Sequence, residues 1–92
     1  MTETDTRQIA GLRTTLDHMG GNCTALRIAL PPDGREILIT DLDGNGPPEP
    51  GDDCFVGVYE RLHDECSILA EVDCPWESLD ETVARLAREH SA

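Results

Sequence analysis

Between Asp41 and Asp52, oxygen-bearing side chains recur at alternate positions through a glycine- and proline-rich stretch: Asp41, Asp43 and Asn45 first, then Glu49 and Asp52. Such spacing suits a hard cation, because calcium gathers many oxygen ligands around a sharp turn. Four cysteines, Cys23, Cys54, Cys66 and Cys74, make up the second group with chemical capacity. His63 and Cys66 lie three residues apart, at zinc-ligand spacing, but structural zinc usually shows such a pair at both ends of the site. Buried strand thiols are therefore expected, with Cys54 and Cys66 on the core face, while zinc and a disulfide stay open. Cys54 and Cys74 are expected near each other across the last hairpin.

The acidic stretch resembles the calcium loop of EF-hand and dockerin-type proteins over the twelve residues Asp41 to Asp52. The resemblance implies side-chain oxygens from Asp41, Asp43 and Asn45, a carbonyl from Pro47, and Glu49 and Asp52 at the ninth and twelfth positions. The pattern departs from the family in three places. A strand-like run, Ile37 to Thr40, precedes it where the family has a helix. Pro48 has no main-chain donor, and Asp52 is shorter than the usual bidentate glutamate. A surface loop whose Asp, Asn and Gly build turns is the competing reading. No cofactor is expected, with calcium at this loop kept as the alternative.

Catalysis has little to work with. A reactive cysteine needs an electropositive setting, yet between Asp41 and Glu81 one arginine stands among thirteen acidic residues. There is no nucleophile elbow, phosphate loop or dinucleotide fingerprint. His18 and His90 read as helix-associated histidines. An enzyme is not expected.

The elements that position these residues follow from periodicity. Ile9, Leu12, Leu16 and Met19 recur at helical spacing from Asp5 or Thr6 onward, and Gly20-Gly21 would close that helix. Cys23–Leu30 and Arg35–Thr40 flank the turn Pro31-Pro32-Asp33-Gly34 and predict a hairpin, with Leu30 opposite Ile37 and Ile28 opposite Ile39. Residues 41–53 form a long acidic loop. Strands are expected over 54–60 and 66–72, the second alternating Cys66, Ile68, Ala70 and Val72 against Ser67, Leu69 and Glu71. Pro75-Trp76 opens a last helix, with Ser78 and Glu81 as a capping box and Leu79, Val83 and Leu86 as its apolar stripe. The expected fold is α+β, a four-stranded antiparallel sheet with N- and C-terminal helices on one face, in the order α-β-β-β-β-α. The whole of residues 1–92 makes one domain, with 1–5 frayed. The opposite sheet face should carry Ala25, Arg27, Leu38, Phe55, Tyr59 and Leu69. It would be left wet or covered by a second copy or another protein.

Nineteen acidic residues against seven arginines and no lysine give a net charge of −12. Nucleic acid and anionic membranes are thereby disfavoured as direct ligands. No basic start followed by an apolar run appears in the first thirty residues, so a cytoplasmic location with reduced thiols is expected. The acid concentrates between Asp41 and Glu81. An interaction surface is expected around Asp52, Asp53, Glu60, Asp64, Glu65 and Glu71, with Phe55 and Tyr59 as aromatic anchors.

Gly20 to Leu26, Leu30 to Arg35, Ile37 to Asp41 and Val56 to Tyr59 together resemble a family of small proteins of actinobacteria and their phages. That resemblance is one of pattern over residues 20–60 and brings no catalytic signature. A phage origin would imply a protein that binds and redirects a host component. The expected function is thus a small acidic cytoplasmic interaction module whose partner is a host or cellular protein, basic or DNA-binding, with a homodimer left open. A DNA-mimic inhibitor and a calcium-binding domain through Asp41–Asp52 are the alternatives.

Overall fold

A computed structural model describes residues 8–18, 24–30, 34–44, 46–62 and 65–91. Its elements, in chain order, are β1 (Gln8–Ile9), β2 (Leu12–Arg13), β3 (Thr15–His18), β4 (Thr24–Leu30), β5 (Arg35–Asp41), β6 (Asp53–Leu62), β7 (Glu65–Pro75), a 3-10 turn (Trp76–Ser78) and α1 (Leu79–His90). β3 to β7 form a five-stranded antiparallel meander in sequence order, and β1 with β2 forms a separate small hairpin. The only helix among the described residues that packs on this sheet is the C-terminal one.

The expected N-terminal helix is overturned: from Gln8 to His18 the chain is strand and turn, and the sheet has five strands rather than four. Met19 and the Gly20-Gly21 terminator lie outside the described residues. Ala10 and Gly11 take φ of +56° and +76°, a two-residue turn of the primed kind that matches strand twist. It sets Ile9 opposite Leu12. Beyond it, Leu12, Thr14 and Leu16 alternate, and Thr14 is fully buried where the chain passes from hairpin to main sheet. The three- and four-residue spacings that read as a helix are thus a cross-strand pair followed by period-two alternation.

The β4–β5 hairpin forms, with its register two residues from the expected one: Ile28 faces Ile37, Leu26 faces Ile39 and Leu30 faces Arg35. An even shift keeps every side chain on its face, so the branched residues still share one side. A continuous row, Leu16–Leu26–Ile39–Val56–Val72, crosses all five strands. A second row joins Ile28, Ile37, Val58 and Ala70. β-branched residues favour this half-buried pleated setting.

Onto that face α1 lays Leu79, Thr82, Val83 and Leu86, all buried at i, i+3, i+4 and i+7. Full burial of each aliphatic side chain stabilises by about 1.5–3 kcal/mol. The helix touches β1, β5, β6 and β7 and is held at both ends. The Ala10 N–H donates to Asp80 Oδ1 at 3.2 Å, and Arg35 donates to the His90 carbonyl at 2.7 Å. Acid in the first turn and Arg88 with His90 in the last complement the helix dipole. Ser78 stands at the N-cap as expected, but its side chain makes no capping bond. The preceding 3-10 turn does that work through the Leu79 N–H and the Trp76 carbonyl.

β7 departs from simple alternation. Val58 faces Ala70 while Tyr59 faces Ile68, so Leu69 is an extra residue, a β-bulge. Leu69 and Ala70 both pack toward the core. Cys66 and Ile68, expected on the core face, swing to the opposite one, where Ile68 is 60% exposed; Leu69, expected outside, turns in.

Candidate interaction surface

The acidic loop is built by its backbone. Asp41 pairs with Cys54 at the mouth of the β5–β6 hairpin, the Gly44 N–H donates to the Asp41 carbonyl at 3.1 Å, and the Asp41 N–H donates to the Gly46 carbonyl at 2.8 Å. Glu49-Pro50-Gly51-Asp52 is a type II turn: proline sits second, Gly51 has φ of +93°, and the Asp52 N–H reaches the Glu49 carbonyl at 2.9 Å. Asp52 Oδ2 accepts the Glu49 N–H at 3.0 Å, so the side chain at the twelfth loop position closes this turn. The Asp52 carbonyl accepts the Trp76 N–H at 3.0 Å and ties the loop to the start of the helical segment.

Of the six residues the calcium resemblance implies, Asn45 lies outside the described residues. Asp43 and Glu49 are exposed, and Pro47 is half-buried. Asp41, Asp43 and Asp52 line one shallow cleft of about 330 Å³ with Leu42 and Asp53. Among the described residues, no three His, Cys, Asp or Glu side chains come together closely enough to hold a metal ion.

The outer sheet face, away from α1, carries Ala25, Arg27, Leu38, Phe55 and Tyr59 as expected, joined by Glu36, Thr40, Arg61, Cys66, Ile68, Glu71 and Asp73. Glu36 is the residue the sequence reading missed. It is only 4% exposed although it stands on the face away from α1, where Ala25, Leu38 and Thr40 are also buried. Arg27 Nε lies 3.2 Å from its Oε1, and Arg61 lies 3.8 Å from its Oε2. Burying a carboxylate is costly without such partners. Both arginine side chains stay partly in water, so the charge of Glu36 is met by cations at the edge of solvent. An acid alternating with Leu38 and Thr40 along β5 was the available signal. Tyr59 stands across from Glu36 on β6. Its ring covers Gly57, where a built Cβ would meet ring carbon at 2.6 Å. Burial first, then the nearby Glu71, Cys66 and Glu36, raise the Tyr59 phenol above its ordinary value.

The residues expected to form one interaction surface divide between faces. Phe55, Tyr59 and Glu71 share the outer face, and Asp52 and Asp53 border it at the loop end. Glu65 is exposed at the far end of β7. Glu60 belongs to the helix side, where Arg35 Nε holds its carboxylate at 2.8 Å. Asp64 lies outside the described residues.

Cys54 and Cys74 are direct cross-strand partners at the loop end of the sheet, both buried and both free thiols. Cys54 is pushed up to about 11, by burial first and then by Cys74, Asp52 and Asp53. Cys66 is an exposed thiol, contrary to the expected buried one. Cys23 lies outside the described residues.

Compared with known proteins, the chain matches no family model, no curated protein and no solved structure.

Proposed function

We propose that this chain is a small acidic protein-interaction module, acting through its outer sheet face and the adjoining edge strand β7, which among the described residues pairs on one side only. The observation that carries the reading is the edge itself. β7 is the last strand of the sheet, eleven residues long, and Glu65 to Ile68 are exposed in succession. A strand in that position offers unpaired main-chain donors and acceptors to another chain. The Leu69 bulge and the flanking Glu65, Glu71 and Asp73 discourage pairing with a second copy of this acidic chain. Those same charges favour a partner with a basic extended segment. Ile68 then supplies an apolar contact within an acidic rim, beside Tyr59.

The experiment uses the purified chain as bait, followed by binding of the captured partner in purified form to wild type and to Ile68→Asp. Ile68 is mostly in water, so the substitution should leave folding intact while weakening binding about tenfold or more, as loss of a central apolar contact does. Affinity should also fall as salt rises. Equal affinity for both proteins would remove β7 and the outer face from the reading. A partner that binds DNA and is displaced by it would turn the conclusion toward DNA mimicry.

A further inference from the structure

We propose that Cys54 and Cys74 are a redox-active dithiol that a small neutral hydroperoxide converts into a cross-strand disulfide. The two are register partners on adjacent antiparallel strands. Such partners place their Cα atoms about 4.5–5.5 Å apart, inside the range of about 4.4–6.8 Å that a disulfide spans. Both side chains sit on the same rung of the ladder, and both are buried free thiols. The register therefore meets the backbone spacing that joining them requires.

Access is one-sided. Cys54 is fully buried, whereas Cys74 is 8% exposed and lines a surface cleft of about 270 Å³ with Leu42, Asp53, Asp73 and Pro75. Leu42 and Asp53 also line the neighbouring cleft that Asp41, Asp43 and Asp52 complete. A reagent reaching Cys74 must therefore pass carboxylates on both sides. Anionic oxidants such as glutathione disulfide are repelled there, and a neutral hydroperoxide is not.

The chemistry then runs in two steps. The Cys74 sulfur, once its proton has left, attacks the outer oxygen of the peroxide, a slow step because the surrounding carboxylates oppose the negative charge on sulfur. The O–O bond breaks, Cys74 becomes a sulfenic acid, and the departing oxygen leaves as water or alcohol with the thiol's proton. The Cys54 sulfur attacks the Cys74 sulfur, the S–O bond breaks, and the hydroxide leaves as water with the proton from Cys54. Both sulfurs are oxidised and the peroxide is reduced. The product staples β6 to β7 at the point where the chain leaves the sheet for α1.

The test treats the folded full-length chain with hydrogen peroxide, then denatures it, blocks free thiols with N-ethylmaleimide and maps peptides by mass spectrometry. Cys66→Ser is run in parallel to remove the exposed competing thiol. A Cys54–Cys74 linked peptide in the monomer, reversed by dithiothreitol, with a melting temperature raised by a few degrees or more, is the expected result. Complete maleimide labelling of both residues after peroxide would overturn the proposal, as would disulfides found only between molecules. The charged entrance has its own readout in Cys66→Ser. Neutral dithiodipyridine should modify Cys74 at least tenfold faster than the dianionic nitrobenzoate disulfide, a gap that narrows with salt. Equal rates would overturn the selectivity for a neutral oxidant.

Discussion

Gly34 holds φ at +99°, and a Cβ built on it would lie 2.6 Å from the Arg61 carbonyl oxygen. The same close approach lets the Arg61 N–H donate to the Gly34 carbonyl at 2.6 Å. Two independent constraints, backbone conformation and backbone contact, therefore demand glycine. Gly34→Ala should destabilise by about 1–3 kcal/mol, read as a lower urea midpoint with an unchanged slope. Cys54 sets a second expectation at this scale. Cys74, Asp52 and Asp53 face its thiol, and Asp41 is its partner on β5. Burial first, then Cys74, Asp52 and Asp53, push its pKa up to about 11 from an ordinary 9. A raised folded-state value means the stabilising contribution is full below pH 9 and is lost as pH rises toward 11. The unfolded chain ionises there and the folded one does not. The loss should reach about 2–3 kcal/mol. The stability difference between wild type and Cys54→Ala should be flat below pH 9 and shrink above it.

At the scale of elements, the first hairpin is the most informative segment. Ala10 occupies a left-handed conformation that costs alanine about 1 kcal/mol and glycine very little. Ala10→Gly should therefore stabilise the protein by a few tenths of a kcal/mol to about 1 kcal/mol. In a helix the same change would cost about 1 kcal/mol, so the sign of a thermal shift separates the two structures. The β7 bulge matters for another reason. By inserting Leu69 it moves Cys66 and Ile68 to the outer face, placing an exposed thiol and an exposed aliphatic residue beside Tyr59. Without it Ile68 would lie in the core, and the edge proposed as a docking strand would have no apolar centre.

For the molecule as a whole, charge is the dominant fact. A net charge of −12 on 92 residues opposes compaction through self-repulsion, and among the described residues the arginine–carboxylate pairs, Arg27–Glu36, Arg35–Glu60 and Arg61–Glu36, engage three of six arginines. Added salt screens that repulsion over a distance that falls below about 10 Å above 0.1 M. The melting temperature should therefore rise by several degrees between 20 mM and 500 mM sodium chloride, with sodium perchlorate as a control for ion-specific effects. A fall would mean that the three ion pairs outweigh the overall repulsion. The salt dependence of partner binding has the opposite sign, so the two measurements together separate repulsion within the chain from attraction to a basic partner.

Local chemistry was enough for several features. The paired faces of β4 and β5 and the apolar stripe of α1 depend on neighbours in sequence, where conformational preference and periodicity act directly. The closeness of Cys54 and Cys74 followed from counting along one hairpin. Three things depended on partners distant in the chain. Residues 8–18 have apolar spacing that either a helix or a hairpin can use, and pairing of Thr15–His18 with Thr24–Arg27 decides for strands. The Leu69 bulge arises from how β6 and β7 accommodate each other, and no composition signal marks it. Glu36 is buried because Arg27 and Arg61 converge on it from neighbouring strands. A carboxylate in isolation could not stay there, so its burial is a property of the assembled sheet.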